Sequence, residues 1–466
     1  MGRKAVRADE GTKAPPTVPG SFLLGSTRAL QRDQLGTYAR AMAEHGEIAR
    51  FRVGPPRLGF SFDAVFTPDT AHQVLAADAG SYVKDAPVIG EFRHFLGNGL
   101  LVSEGERWRR HRRVAQPLFT RRAVEGHLPT VAKAAADLVS WCEDDAAAGR
   151  PVDVHELSMR YALHALGRTV FGDDIVEAAP VLRAALPPLG EHLKRRSLAP
   201  FRSPHWWPSP ANRRAEHARR VVWALADRLI ADRRARAEQG DQGHDLLSRL
   251  LEARDPETGD ALADDDVRDE AIIFLIAGHE TTGSALAFTL DLLGRHPAAQ
   301  NRVRAEARDA DLGRGPSALP FTAQVVDEAM RLYPPAHTVV RRARAETELA
   351  GCPVDNGRIV AVNIWGIHHR EDLWDRPFEF SPERFGASRT GPEATRRSAR
   401  YTHLPFGGGP RACIGEHLAV AELVVATAAL VRRFRLTSLL AETPVEVDLA
   451  LRPGGPLPCR LEPVQP

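Results

Sequence analysis

The sequence predicts a mainly α protein with small β-sheets, an α+β chain folded as one large helix-rich unit. Three observations lead there. Helical patterning dominates residues 104–251 and returns in long apolar segments near both 280 and 425. β-like alternation is confined to short pieces. No linker clearly separates domains.

In order, residues 1–20 are polar and Pro-rich and read as a loose tail ahead of a single unit over 21–466. Residues 22–75 combine a helical pattern with β-like pieces at Ile48–Val53 and Phe60–Phe66. The helical stretch of 104–251 is broken by Gly-Pro clusters and by Ser203–Pro210. Arg254–Asp265 is a polar turn. Val267–Arg295 is the longest apolar helix; its central run Ala271–Gly278 is too short to span a bilayer, so it reads as a buried helix. Thr322–Leu332 is a short helix stopped by Pro334 and Pro335. Val339–Val362 alternates like strands, with turns at Gly351 and Asn356-Gly357. Ser381–Phe385 and Phe406–Gly415 read as loops, Glu416–Phe434 as the last long helix, and the Pro-Gly-rich end as β.

Hydrophobic residues make up 43% and charged residues 26%, which excludes a disordered or collagen-like chain. Sixty-two basic residues against 60 acidic ones leave a net charge of +2 and give no reason to expect nucleic-acid binding. Only five of the basic residues are Lys, so nearly every cationic contact uses a planar guanidinium. The four cysteines, Cys142, Cys352, Cys413 and Cys459, form no C-x-x-C pair, which argues against zinc and for a reducing compartment. The N-terminus shows no signal or anchor pattern. The expectation is a cytoplasmic monomer with no membrane anchor.

The chemistry concentrates in Phe406-Gly407-Gly408-Gly409-Pro410-Arg411-Ala412-Cys413-Ile414-Gly415. Its glycines let backbone approach a flat ligand closely. Cys413 stands just ahead of an apolar helix, whose dipole favours a thiolate. A thiolate there suits an axial ligand to haem iron. Read alone, Cys413 also admits a buried apolar filler, or a nucleophile served by His403 or His417. The full spacing F-x-x-G-x-R-x-C-x-G decides against both, and it closely resembles the haem-binding loop of the cytochrome P-450 family.

Further motifs follow in that family's order. Glu328 and Arg331 form E-x-x-R on one helical face, and Pro382-Glu383-Arg384-Phe385 supplies Arg384. The resemblance implies that Glu328, Arg331 and Arg384 form a structural ion cluster. Ala277-Gly278-His279-Glu280-Thr281-Thr282 sits in the long apolar helix. By resemblance, Glu280 and Thr281 are the acid–alcohol pair that guides protons to dioxygen, and Ala277 lies against the haem. Trp108 and Arg112 match W-x-x-x-R; with Arg341 and Arg411 they are implied to face the haem propionates, Arg342 being the neighbour a one-residue shift would select. Phe406, Gly407, Arg411, Cys413 and Gly415 are implied to cradle the haem.

The resemblance, which runs from about Pro19 onward, also implies the family's triangular helical prism, haem between its two central helices, and sets aside the three domains that length suggests. It implies haem b with a Cys413 thiolate, and a monooxygenase that activates O2 with two electrons to oxidise a lipophilic small molecule. Electrons would come from a separate ferredoxin and NAD(P)H-dependent ferredoxin reductase, with Arg109, Arg110 and Arg113 as a basic docking face. A peroxide-using or isomerising haem-thiolate enzyme, or a non-catalytic haem sensor, are the alternatives. By family position the pocket draws on Tyr82–Leu101, Leu186–Trp207, Phe274, Ala277, Ala336–Val339 with His337, Thr338 and Val339, and Pro453–Leu457. That lining suits a terpenoid, fatty acid, polyketide or steroid. Trp206 and Trp207 either cap the entrance or are ordinary core or surface aromatics.

Overall fold

The computed structural model describes residues 14–464 except 57, 173–174, 176–178, 198, 200–202, 242, 388–400 and 449. The expected tail therefore lies outside the described residues over 1–13. Its remainder is tied down: Arg50 N–H donates to Pro16 O at 2.7 Å and Val18 N–H to Arg50 O at 2.9 Å.

Twelve strands are described. A five-stranded sheet has the order β1 (Ile48–Val53), β2 (Phe60–Val65), β8 (Ile359–Val362), β5 (Val339–Ala343), β3 (Tyr82–Val83). Only β2 and β8 pair parallel. A three-stranded sheet joins β4 (Val152–Asp153), β12 (Pro458–Pro463) and β9 (Phe434–Ser438). Two hairpins complete the set, β6 (Thr347–Leu349) with β7 (Cys352–Val354) and β10 (Val445–Val447) with β11 (Leu451–Pro453).

The helices that build the site are α1 (Gln34–His45), α2 (Pro87–Leu96), α3 (Gly105–Ala115), α4 (Leu128–Ser140), α5 (Val154–Leu166), α6 (Ala179–Ser197), α7 (Pro210–Glu238), α8 (Asp264–Arg295), α9 (Pro320–Leu332) and α10 (Glu416–Arg433). α8 starts earlier than its apolar run because Asp264, Asp265 and Asp266 sit in its first turn, where acidic groups complement the helix dipole. α9 begins at Pro320, a favoured first helical residue. Phe434 leaves α10 and opens β9, and Arg384–Ala387 forms one helical turn where a loop was expected.

The polar steps at His279–Thr282 do not break α8, which runs unbroken for 32 residues. Its full length and composition suffice to cross a bilayer, contrary to the reading of the central run alone. However, 72% of its apolar stretch is buried within the fold. α8 packs along α5 and against α9 and α10 in the largest core cluster, so an all-round apolar helix finds apolar partners on nearly every face. A second packing unit sets Tyr38 and Ala41 of α1 against Phe51, Val53, Phe62 and Ala64 of the sheet.

Candidate active site

A cavity of about 600 Å³ lies between α8 and the Cys loop, closed by α2, α3, the segment before β5 and parts of α1 and β2. Trp108, Arg112, Phe274, Ala277, Thr281, His337, Thr338, Val339, Arg341, Phe406, Gly407, Arg411, Cys413 and Gly415 all line it. The structure brings these sequence-predicted residues to one cavity.

The loop's shape follows from its glycines. Gly407 and Gly409 have φ of 71° and 69°. A Cβ on Gly409 would lie 1.8 Å from Leu75 O, so no other residue fits there without moving backbone. Cys413 N–H donates to Phe406 O at 2.9 Å and closes the loop. Among the four cysteines Cys413 alone is exposed, and what it faces is the cavity. The expected dipole effect is outweighed: burial raises the thiol's pKa, while the Gly415 amide, Arg112 and Lys84 lower it. A bound metal ion is thus what would hold this sulfur as thiolate.

Cations gather beside the loop. Arg411 stacks over the Trp108 ring at 4.2 Å and pairs with Glu104 at 2.7 Å. Arg112 donates to Ala412 O at 3.0 Å. Arg341 turns inward while Arg342, one strand position on, turns out to Asp85, which settles the register. Lys84, within the Tyr82–Leu101 stretch expected to line the pocket but not expected among these cations, donates from Nζ to Leu101 O. Glu104 is the carboxylate that faces Lys84, Arg341 and Arg411. Burial depresses the pKa of all four cations, Arg341 to about 10, and their mutual repulsion adds to the effect on Lys84, Arg341 and Arg411. A flat dianion with two carboxylates, coordinated by a sulfur ligand, fits this donor set; haem b is such a group.

On α8 the two predicted proton-handling residues part company. Thr281 lines the cavity and donates from Oγ1 to Ala277 O at 2.6 Å. Glu280 does not line it: burial raises its pKa, and the nearby Asp448 charge adds to the rise against Arg452. Asp448, at the β10–β11 turn, does line the cavity and has one buried oxygen, Oδ1, without a partner. His279 turns away to Met159 O and stays neutral, its pKa lowered to about 4 by burial.

Other expectations are corrected. Pro453–Leu457 does not line the cavity, and of Leu186–Trp207 only Lys194 and Ser197 do among the described residues. Trp206 and Trp207 are 77% and 53% exposed surface side chains. The proposed docking face is charge-compensated: Arg113 pairs with Asp255, Glu106 and Glu257, and Arg109 with Glu106. Arg110 donates to Ala261 O.

The ion cluster forms as expected. Glu328 and Arg331 are fully buried and doubly bonded at 2.7 and 2.9 Å, and Arg384 reaches Glu328 at 3.1 Å. Arg331 spends its remaining donors on the carbonyls of His368, Pro377 and Glu379. His368, held neutral by burial, meets Arg331 O through Nδ1 and accepts the Leu404 N–H at Nε2. The cluster is thereby linked to the chain two residues ahead of the Cys loop.

Glu422 of α10 was also missed. It lines the cavity at 3% exposure, and burial pushes its pKa from 4.5 up to about 8. The folded chain keeps a proton here that the unfolded chain releases, so this contribution is full below the unfolded pKa and is lost as pH rises through the folded one. The thermal midpoint of the wild type is expected to fall relative to that of Glu422→Gln as pH rises from about 5 to about 8. Parallel midpoint curves would remove this assignment.

The cytochrome P450 family model matches residues 15–453. The chain is 34% identical to cyclooctat-9-en-7-ol 5-monooxygenase of Streptomyces melanosporofaciens, covering 97% of each chain. It is 33% identical to cyclooctatin synthase of the same organism, over 93% of this chain and 91% of that one. LUTEIN DEFICIENT 5 of Arabidopsis thaliana is 30% identical over 86% of this chain and 69% of its own.

Proposed function

Because the chain belongs to the cytochrome P450 family, and is therefore a haem-thiolate monooxygenase, we propose that it oxidises a terpenoid-like lipophile in the cavity beside Cys413. The observation that carries this is the joint lining of one mostly apolar cavity by the Cys413 sulfur, four under-neutralised cations and Thr281.

Haem b, when bound, supplies an iron that binds dioxygen and accepts electrons singly. Cys413 would ligate it, and Arg112, Arg341, Arg411 and Lys84 would take its carboxylates. Phe274, Ala277 and Val339 exclude water from the reacting face. Thr281 Oγ1, bonded to its own helix carbonyl, hands protons into the cavity, and Glu280, whose pKa burial raises, stands behind it beside Asp448. A separate ferredoxin and its NAD(P)H-dependent reductase deliver electrons to this cytoplasmic monomer, which serves secondary metabolism as do enzymes that tailor terpenoids.

With surrogate ferredoxin and reductase, NAD(P)H and O2 are expected to be consumed in step with product from a terpenoid panel. Substrate-independent consumption without product would overturn the reading. Thr281→Ala is expected to lower product per NAD(P)H about tenfold and release peroxide instead. Unchanged coupling would remove Thr281 from the proton path.

A further inference from the structure

The cavity's charges and polar groups are divided between its walls. Among the described lining residues the cations are Lys84, Arg112, Arg341 and Arg411 beside the Cys loop, and Lys194 on α6. Lys194 is already met by Glu446 at 3.4 Å, and Arg452 ties Glu446 to Asp448 at 3.0 and 3.4 Å. That network is neutral overall, and it brings both the Lys194 ammonium and the Asp448 carboxylate to the cavity wall. Among the described lining residues, the one cation outside the ring of four, Lys194, already has a carboxylate partner.

A second wall carries hydrogen-bonding groups without net charge. Gln34 and Tyr38 of α1, with His337 and Thr338 ahead of β5, line the cavity together. Gln34 Nε2 and His337 Nε2 are 3.4 Å apart, and the Tyr38 hydroxyl sits between Gln34 and Thr338. His337 is 6% exposed, and burial lowers its pKa to about 4, so the ring is neutral. Its Nδ1, near Pro335 O, makes no hydrogen bond of good geometry, and neither does the buried Thr338 Oγ1. Phe60 and Phe62 of β2 stand beside this cluster on the same cavity. Buried polar atoms without partners are costly unless a ligand or water completes them.

We infer that Gln34, His337 and Thr338 form a subsite for a single uncharged oxygen function, so that the substrate is a neutral hydroxyl- or carbonyl-bearing hydrocarbon and not a carboxylic acid. This rests on the reading of the cavity as the haem and substrate site. A hydroxyl both donates and accepts, and so matches a neutral imidazole, an amide and a threonine. A carboxylate at this wall would meet no counter-ion among Gln34, Tyr38, His337 and Thr338, in a cavity that Asp448 also lines.

The test compares matched skeletons: dehydroabietane, dehydroabietinol and dehydroabietic acid, and phytane, phytanol and phytanic acid. Binding to the haem-loaded protein is read from the Soret shift and, independently, from the rise in thermal midpoint. In at least one series the alcohol is expected to bind about five- to tenfold tighter than the hydrocarbon, and the acid weakest. Thr338→Val and, separately, Gln34→Leu are expected to erase the alcohol's advantage while hydrocarbon affinity and haem content stay unchanged. Unchanged hydrocarbon binding also shows that the variants are folded. An acid that binds as well as the alcohol, an alcohol no better than the hydrocarbon, or no binding in either series would overturn the inference. So would variants that keep the advantage, or that lose haem, which would assign the cluster to the cofactor. A wild type whose ferrous carbonyl complex lacks the thiolate red shift would instead overturn the proposed function. A normal carbonyl spectrum without this binding order would remove only the subsite.

Discussion

Cys413→Ser is expected to abolish product formation, by about a thousandfold or more, and to remove the red shift of the ferrous carbonyl Soret band. The cause is acid–base chemistry. Burial already raises the pKa of the Cys413 thiol, and a serine hydroxyl is a far weaker acid in the same place. The loop therefore loses its anionic sulfur donor with almost no change of shape. Cys413 faces the cavity and packs no core, so the metal-free variant is expected to melt within about a degree or two of the metal-free wild type. Spectra and product assays with the same redox partners check this. A variant that retained the red-shifted band would show that another residue ligates the iron.

Glu328→Gln carries the largest expected stability loss. Glu328 and Arg331 are 0% exposed, so the substitution leaves a buried guanidinium without its counter-ion, at a cost of about 3–5 kcal/mol. The loss should reach the site, because Arg331 bonds His368 and His368 receives the Leu404 N–H ahead of the Cys loop. Haem retention after gel filtration is expected to fall with the denaturation midpoint. Replacing both partners, Glu328→Gln with Arg331→Met, is expected to recover part of the loss, since the buried unpaired charge is gone. If Glu328→Gln proved neutral, the cluster would have no role in fixing the loop.

The Cys loop was legible because its chemistry is local: ten consecutive residues carry the glycine conformations, the cation and the sulfur. The Glu328–Arg331 pair was legible because residues three apart share a helix face. Glu280 shows where that kind of reading stops. Adjacent helical residues point about 100° apart, so Thr281 can line the cavity while Glu280 faces the β10–β11 hairpin. Arg341 and Arg342 differ likewise by strand alternation, and only pairing with Asp85 shows which turns out. Arg113 reads as a free cation along the chain; its partner Asp255 comes from 142 residues away.

The sequence by itself determined the fold class, the family, the sulfur ligand and the ion cluster, because each rests on short-range spacing and on periodicity that any folded copy must satisfy. Tertiary structure alone decided which polar groups meet inside the cavity. Lys84 beside Arg411, Asp448 near Glu280, and Gln34 against His337 are neighbours only after distant segments pack. The physical reason is that charge balance and hydrogen-bond satisfaction depend on distance through space and on burial, neither of which is written in the order of residues.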